Sequence, residues 1–270
     1  GFHEREVGAQ LGGIERLDAV GVGAGVGAGH SPTLHVANSK HRDGRHPLTF
    51  PHIPNFDLAG VITEAGEGVR GWSAGDVVVA FLPMTAPGAA AEYVAAPAGP
   101  LAAAPRTGDL TDAAALPSAG LTAWQSLFKH AALQAGQSVL INGAGGAVGG
   151  YAIQLAKRAG ATVTATGSAR SIDRLRSYGA DRIVDYTATP LLQAVAGQHF
   201  DVVLNLAPTS PEETARLHRL PHPGRPGRHR RLTAPLSTRP VPAAPRRDGA
   251  FRKDPVMSLP LLFGVPVRTM

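Results

Sequence analysis

The sequence predicts an α/β fold with a doubly wound parallel sheet, accompanied by a smaller β-rich domain. Three observations favour this class. Strand and helix patterns alternate four times between residues 137 and 220, a glycine-rich turn stands at the first strand-to-helix junction, and short apolar strands precede both. With 270 residues, of which 43% are hydrophobic, the chain can bury a sizeable core and is expected to be globular.

The first half of the chain predicts short strands bounded by Gly and Pro. These strands are LAGVITEAG (58–66), DVVVAF (76–81) and AEYVAAP (91–97). The earlier run GVGAGVGAG (21–29) is also glycine-rich, but the sequence His-Ser-Pro follows it instead of a helix, so we interpret it as a loop. An Ala- and Leu-rich pattern over 111–133 then predicts a helix interrupted by a proline and a glycine.

From residue 137 onward the pattern alternates between strands and helices with short loops. The expected strands are QSVLIN (137–142), ATVTAT (161–166), RIVDY (182–186) and FDVVLNLA (200–207). The expected helices are AVGGYAIQLAKRAG (147–160), SIDRLRSYGA (171–180), PLLQAVAG (190–197) and PEETARLHRL (211–220). Because parallel strands need long crossover connections, this order predicts a parallel sheet with helices on both faces.

The stretch INGAGGAVGG (141–150) places five glycines where the first strand turns into its helix. A strict G-x-G-x-x-G pattern fails because Val148 occupies its last position, but A-x-G-x-x-G counted from Ala144 fits. A bare turn before a helix N-terminus can bind a pyrophosphate through its free N–H groups. The expected cofactor-binding residues are Gly143, Ala144, Gly145, Gly146, Ala147, Val148 and Gly149. The alternative is a glycine turn that only permits close packing.

The end of the second strand of the alternating half predicts which dinucleotide binds. A carboxylate there would accept the ribose 2′-hydroxyl of NAD, but no acid appears before Asp173, which lies inside the next helix. Ser168 and Arg170 instead suit a 2′-phosphate, through a hydroxyl and a charge-assisted hydrogen bond. NADP(H) is therefore the expected cofactor. The alternative is a surface arginine and a serine that caps a helix.

Charge and composition exclude several other functions. Eleven of the 26 Lys and Arg lie between residues 216 and 253 with one acid, so this segment carries +10 and the rest of the chain −4. A basic surface for nucleic acid over the whole protein is therefore not supported. The chain has no cysteine, which excludes disulfides and thiolate metal sites. No apolar run suits a membrane span and no signal peptide is recognised, so a cytoplasmic protein is expected.

The central part of the chain resembles the medium-chain dehydrogenase/reductase superfamily, and within it the zinc-independent NADPH:quinone oxidoreductases. The resemblance covers roughly residues 45–207. It rests on FPHIPNFDLAGVITEAGEGVRGWSAGDVVVAF (50–81), LPSAGLTAWQSLF (116–128) and AGQSVLINGAGGAVGGYAIQLAKRAGATVTAT (135–166). It implies a GroES-like substrate domain over 1–120 and a Rossmann NADP-binding domain over 121–220.

The resemblance also implies a metal-free reaction on a small molecule. Asn55, Phe56 and Asp57 stand where zinc-dependent members carry Gly-His-Glu, and no cysteine ligand is present. Without a Lewis acid, hydride transfer is expected to an activated acceptor, a quinone or an α,β-unsaturated carbonyl. By resemblance, Thr122 and Asn205 would lie beside the nicotinamide and Tyr186 near the adenine, and a homodimer is expected. Asp57 is either an acid/base group or a carboxylate that caps backbone amides.

Both ends depart from this resemblance. Residues 1–37 match it poorly, and 221–270 form a basic segment rich in Pro and Arg. Translation out of frame or a degraded gene is the interpretation we favour for them. An alternative function follows, a defective or non-catalytic relative that binds nucleotide weakly and carries a basic tail.

Overall fold

The computed structural model describes residues 19–24, 53–83, 87–217 and 219–220. By their contacts these residues form two compact units, one ending at Ser118 and one beginning at Ala119. The basic segment 221–270 and most of residues 1–37 lie outside the described residues, so the expectations for them are not addressed by the structure.

The first unit is built on a five-stranded antiparallel sheet. Its strand order is β4-β1-β2-β3-β5. The strands are β1 (Ala19–Ala24), β2 (Asp57–Ala65), β3 (Val77–Phe81), β4 (Tyr93–Pro97) and β5 (Ala102–Ala103). Its core contains Val22, Leu58, Ile62, Val78 and Leu82, all buried. The three strands expected over 58–97 are confirmed, with boundaries that differ by one or two residues.

Strand β1 corrects our interpretation of the glycine-rich run 21–29. Residues 21–24 are not loop, because β1 pairs antiparallel with β2 on one side and β4 on the other. Val22 is fully buried within this pairing. Glycine has little preference of its own for a strand, so the two neighbouring strands decide the conformation here. Residues 25–29 lie outside the described part of the chain.

The helical pattern over 111–133 forms three short pieces. They are α1 (Leu110–Ala113), α2 (Pro117–Trp124) and a π-helical turn over Gln125–His130. Proline suits the first turn of a helix, which has no internal partner for its N–H groups, so α2 begins at Pro117. The proline therefore separates two helices, as the sequence indicates.

The second unit is the predicted parallel sheet. Its strand order is β8-β7-β6-β9 and all its pairs are parallel. The strands are β6 (Ser138–Asn142), β7 (Thr162–Gly167), β8 (Arg182–Asp185) and β9 (Val202–Asn205). The helices are α3 (Ala147–Arg158), α4 (Ile172–Ser177), α5 (Leu191–Ala194) and α6 (Pro211–Leu217). The expected α/β class with a β-rich partner domain is thus confirmed.

Hydrophobic clusters cover both faces of this sheet. Val139 and Ile141 of β6 belong to the cluster that contains Ala152 and Ile153 of α3. Leu140, which lies between them in β6, belongs to a second cluster that contains Leu217 of α6. Successive residues of a strand point to opposite faces, so a continuous apolar strand is what a sheet covered on both sides requires.

The strand order also determines where a ligand can bind. The chain runs from β6 to β7 to β8 on one side, and then returns to β9 on the other side of β6. Connections that leave β6 in opposite directions open a crevice at the carboxyl ends of the strands. The residues that follow β6 and β7 therefore lie where a ligand-binding site is expected.

Candidate functional site

The turn after β6 uses two of its glycines for the fold itself. Gly143 has a φ of +82°, and a Cβ there would come within 2.9 Å of the Ala207 nitrogen. A Cβ on Gly149 would come within 2.4 Å of the Ala144 Cα. Neither position has room for a side chain, so close packing accounts for these two glycines.

Gly145 and Gly146, which lie between these two glycines, are not required by packing. A Cβ on Gly145 would meet Ser171 Oγ at 3.4 Å, and one on Gly146 would meet nothing closer than the Gly143 oxygen at 3.8 Å. Packing therefore does not demand glycine at either position. Gly146 is the N-cap residue of α3, and no side chain caps this helix. The first N–H groups of a helix have no internal partner, so the turn offers them to an anion.

A cavity of about 450 Å³ lies at this turn. It gathers residues that follow β6, residues at the end of β7 and after it, and Tyr186 after β8. It is lined by Gly143, Gly145, Gly146, Thr166, Gly167, Ser168, Arg170, Ser171, Arg174 and Tyr186. Six of the residues that the sequence predicts to bind the cofactor are in this set. Its two charged side chains, counted over the described residues, are both arginines.

The other expected site residues lie outside the lining. Ala144 is 1% exposed and Gly149 is buried, so they form the packed base of the turn. Ala147 and Val148 belong to the first turn of α3. Thr122 is half-buried in α2, Asn205 ends β9, and Asp57 begins β2 in the other unit.

Ser168 directly follows β7, and Arg170 lies within the short 3₁₀ turn over Ala169–Ser171. Ser168 holds the N-cap position of this turn, but its side chain makes no capping bond. Its carbonyl oxygen instead accepts a 2.9 Å bond from Ser171 Oγ. The Ser168 hydroxyl therefore does not play the capping role that the alternative interpretation gave it.

Arg174 is a cavity residue that the sequence analysis missed. It lies in α4, and its Nη2 donates a 2.7 Å hydrogen bond to the carbonyl oxygen of Gly145. The bond joins two segments 29 residues apart, which no local pattern reveals. The spacing from Arg170 could have indicated it, because residues four apart lie on the same side of a helix.

A chain of side-chain hydrogen bonds links the turn after β6 to β7 and β9. The Gly143 N–H donates to Thr166 Oγ1, and the Thr166 hydroxyl donates to Asn142 Oδ1, both at 2.8 Å. Asn142 Nδ2 donates to Asn205 Oδ1, and Asn205 Nδ2 donates to Thr209 Oγ1, again at 2.8 Å. Both polar atoms of the Asn205 amide thus have partners inside the protein. Thr166 and Asn142 were not foreseen as site residues.

Asp57 is a buried carboxylate at the start of β2. It is 8% exposed, and its Oδ1 accepts a 2.6 Å bond from the backbone N–H of Ser118, in the first turn of α2. Burial raises the pKa of Asp57 to about 6, and the bond from Ser118 partly offsets that rise. This contact is the one expected of a carboxylate that caps backbone amides.

The described residues contain no group of three or more His, Cys, Asp or Glu placed to hold a metal ion. None of the helices in that part of the chain is long and apolar enough to cross a bilayer.

Two family models match the chain in its two halves. The alcohol dehydrogenase GroES-like domain matches residues 25–106, and the zinc-binding dehydrogenase domain matches residues 147–215. The first match begins at residue 25 rather than near 45, so the unmatched N-terminal part is shorter than expected.

Characterised relatives resemble the same region. A chloroplast envelope quinone oxidoreductase homolog of Arabidopsis thaliana is 42% identical over 169 residues, which are 60% of this chain and 51% of the relative. A 2-methylene-furan-3-one reductase of Solanum lycopersicum is 38% identical over 165 residues, which are 57% of this chain and 42% of the relative. The chain thus spans about half the length of the curated relatives it matches.

Solved structures agree with these matches. The quinone oxidoreductase of Coxiella burnetii superposes with a TM-score of 0.64 at 27% identity, over 76% of this chain and 64% of that one. The quinone oxidoreductase of Escherichia coli, complexed with NADPH, gives 0.65 at 25% identity over 76% and 62%. With a GroES-like match followed by a dehydrogenase match, and with quinone oxidoreductases among its relatives, the chain belongs to the medium-chain dehydrogenase/reductase superfamily.

Proposed function

We propose that this protein is an NADPH-dependent oxidoreductase that reduces a quinone or an α,β-unsaturated carbonyl without a metal ion. The observation that carries the proposal is the cavity after β6 and β7. It combines the uncapped N-terminus of α3 with Arg170 and Arg174, and the described residues that line it include no carboxylate.

The residues present fit such a cofactor. The pyrophosphate would bind at Gly145 and Gly146, where the absence of side chains keeps the α3 N–H groups open. The 2′-phosphate would bind at Ser168 and Arg170, whose hydroxyl and guanidinium are both suited to a phosphate. Tyr186 is 54% exposed at the cavity and would cover the adenine. When bound, NADPH supplies the hydride.

The lining also supports NADPH over NADH. A site for NAD places a carboxylate near the end of the second strand to accept the ribose 2′-hydroxyl. Here the residues after β7 that line the cavity are serines and arginines. A carboxylate would repel a 2′-phosphate, whereas these groups attract it.

The proposal of a quinone or enone acceptor comes from the relatives. A relative named as a quinone oxidoreductase homolog and another named as a 2-methylene-furan-3-one reductase both act, by name, on conjugated carbonyl compounds. Such acceptors take up a hydride without a Lewis acid. The chain has no cysteine to serve as a thiolate ligand of zinc, and Asn55-Phe56-Asp57 lacks the histidine of a zinc site. A cytoplasmic location and a homodimer stay predictions.

Titration with NADPH and with NADH, followed by cofactor fluorescence, tests the cofactor. We expect NADPH to bind the full chain at least tenfold more tightly. Arg170→Gln should weaken NADPH binding by roughly ten- to a hundredfold, because a hydrogen bond to a charged group contributes about 1.5–3 kcal/mol. Arg176→Gln is the matched control, because Arg176 pairs with Asp173 and does not line the cavity.

Turnover with 1,4-benzoquinone and with an enone then tests the reaction. Oxidation of NADPH that depends on either acceptor, and that survives treatment with a metal chelator, is the expected result. Binding of NADPH without turnover would favour the alternative of a non-catalytic relative. Equal affinity for both dinucleotides would refute the 2′-phosphate assignment.

A further inference from the structure

Two cations share the cavity without a counter-ion from the described residues. Arg170 and Arg174 both line it, and none of the described residues that line it is a carboxylate. The ion pairs found in the described part of the chain are Lys157–Asp181 and Arg176–Asp173, so neither cavity arginine takes part in one. Two positive charges with no negative charge from the described part of the chain suit a polyanion better than a hydroxyl group.

The position of Arg174 is fixed by the glycine turn. Its Nη2 donates to the Gly145 carbonyl at 2.7 Å, while Ser171 Oγ lies near the space beside the same glycine. A guanidinium has five N–H donors, and this is the bond that it makes to the described residues. The rest of the group remains available to a ligand in the cavity. Anchoring by a carbonyl also reduces the conformational entropy that a long side chain loses on binding.

The charge of the ligand explains why two arginines would be needed. A phosphomonoester carries about −1.5 to −2 at neutral pH, so one arginine neutralises only part of it. The pyrophosphate has its own partner in the uncapped N-terminus of α3. The second cation is therefore better matched to a phosphate elsewhere on the ligand.

We propose that Arg174 is a specificity-determining residue that selects, together with Arg170, a phosphate on the adenosine ribose over a free hydroxyl. This rests on the proposed function, in which a dinucleotide occupies the cavity. A purely structural role is the competing explanation, because the bond to Gly145 also ties α4 to the turn. The two roles predict different responses to substitution.

Two substitutions separate charge from tethering. Arg174→Met keeps the apolar stem but removes the charge and all donors, whereas Arg174→Lys keeps a charge and a donor. Arg176→Met removes a charge from the same helix outside the cavity. Each variant is titrated with NADPH and NADH, and with adenosine 2′,5′-bisphosphate and adenosine 5′-monophosphate as competitors. Thermal melting reports whether each variant folds.

We expect Arg174→Met to weaken the binding of NADPH and of adenosine 2′,5′-bisphosphate by roughly tenfold or more. The affinities for NADH and adenosine 5′-monophosphate should change by less than about twofold. Arg174→Lys should restore part of the affinity for NADPH, because an ammonium group attracts phosphate as a point charge but lacks the fork of donors. Arg176→Met should match the wild type for all four ligands, because an exposed ion pair contributes little.

Other outcomes overturn one claim or both. Arg174→Met could weaken the binding of all four ligands equally, or lower the melting temperature together with the affinity for NADPH. Either result would show that Arg174 only ties α4 to the turn, and would leave the proposed function standing. An effect as large in Arg176→Met would show that only the overall charge matters. A wild-type chain that binds neither dinucleotide would refute the proposed function and this inference together.

Discussion

The side-chain amide of Asn142 donates a 2.8 Å hydrogen bond to the side-chain oxygen of Asn205. The two residues are 63 positions apart in sequence and directly paired in the register of β6 and β9. Each is the last residue of its strand, and Asn142 stands one residue before the glycine turn. The bond therefore joins the two strands that bound the crevice, and it connects through Thr166 to the N–H of Gly143.

Substitution of Asn142 by alanine should destabilise the second unit more than it alters ligand affinity. It removes the acceptor of the buried Thr166 hydroxyl and the donor to the half-buried Asn205 oxygen, and a buried unsatisfied group costs about 1–3 kcal/mol. The measurement is the free energy of unfolding by urea. A double-mutant cycle with Asn205→Ala should show that the two losses are not additive, because both variants break the same bond. Additive losses would mean that the two amides act independently.

Gly149→Ala should lower the stability of the protein, whereas Gly146→Ala should lower its affinity for NADPH. A Cβ at position 149 would lie 2.4 Å from the backbone of Ala144, so something in the core must shift and the protein should lose stability by roughly 1–3 kcal/mol. Among the described residues, a Cβ at position 146 would meet nothing closer than the Gly143 oxygen at 3.8 Å, but it would stand at the cavity. This variant should fold with nearly the stability of the wild type and bind NADPH more weakly.

Melting temperature and NADPH affinity, measured on both glycine variants, check this contrast. The prediction requires the larger loss of melting temperature at position 149 and the larger loss of affinity at position 146. Because the two substitutions add the same methyl group to the same turn, each serves as the control for the other. A Gly146→Ala variant that binds NADPH like the wild type would remove Gly146 from the site.

Local patterns predicted most of the elements but few of the contacts between them. Apolar runs and stop signals were sufficient for the alternation in the second unit; Gly160 and Gly179, for example, follow α3 and α4 with positive φ. Strand β1 was missed because two neighbouring strands impose its conformation on a glycine-rich segment. The Arg174–Gly145 bond was missed because it depends on how α4 packs beside the turn. The turn itself was predictable because its glycines follow directly after a strand.

The pKa of Asp57 leads to a prediction about stability and pH. Burial raises this pKa from 3.8 to about 6 in the folded protein, so the folded state binds the proton more tightly than the unfolded state does. The stabilisation from protonation is fully present below about pH 4 and is lost as the pH rises through about 6. Above that range the buried charge opposes folding by on the order of 3 kcal/mol, from 1.36 kcal/mol per pH unit.

Asp57→Asn should remove this pH dependence while keeping the cap on α2. The amide oxygen of the new side chain can still accept the N–H of Ser118, which Asp57 accepts at 2.6 Å. The difference in unfolding free energy between this variant and the wild type should be small near pH 4 and should grow in favour of the variant until about pH 7. Carboxylates with lowered pKa values, Asp181 and Asp185, contribute equally to both proteins and cancel in the difference.

Asp57→Ala is the control for the hydrogen bond to Ser118. It should follow the same pH profile as Asp57→Asn, but at a stability lower by about 1 kcal/mol, because the cap is lost. Urea unfolding of all three proteins between pH 4 and pH 7 measures both effects. If the difference in unfolding free energy between Asp57→Asn and the wild type does not change with pH, the pKa of Asp57 is not raised, and its buried charge does not destabilise the folded protein.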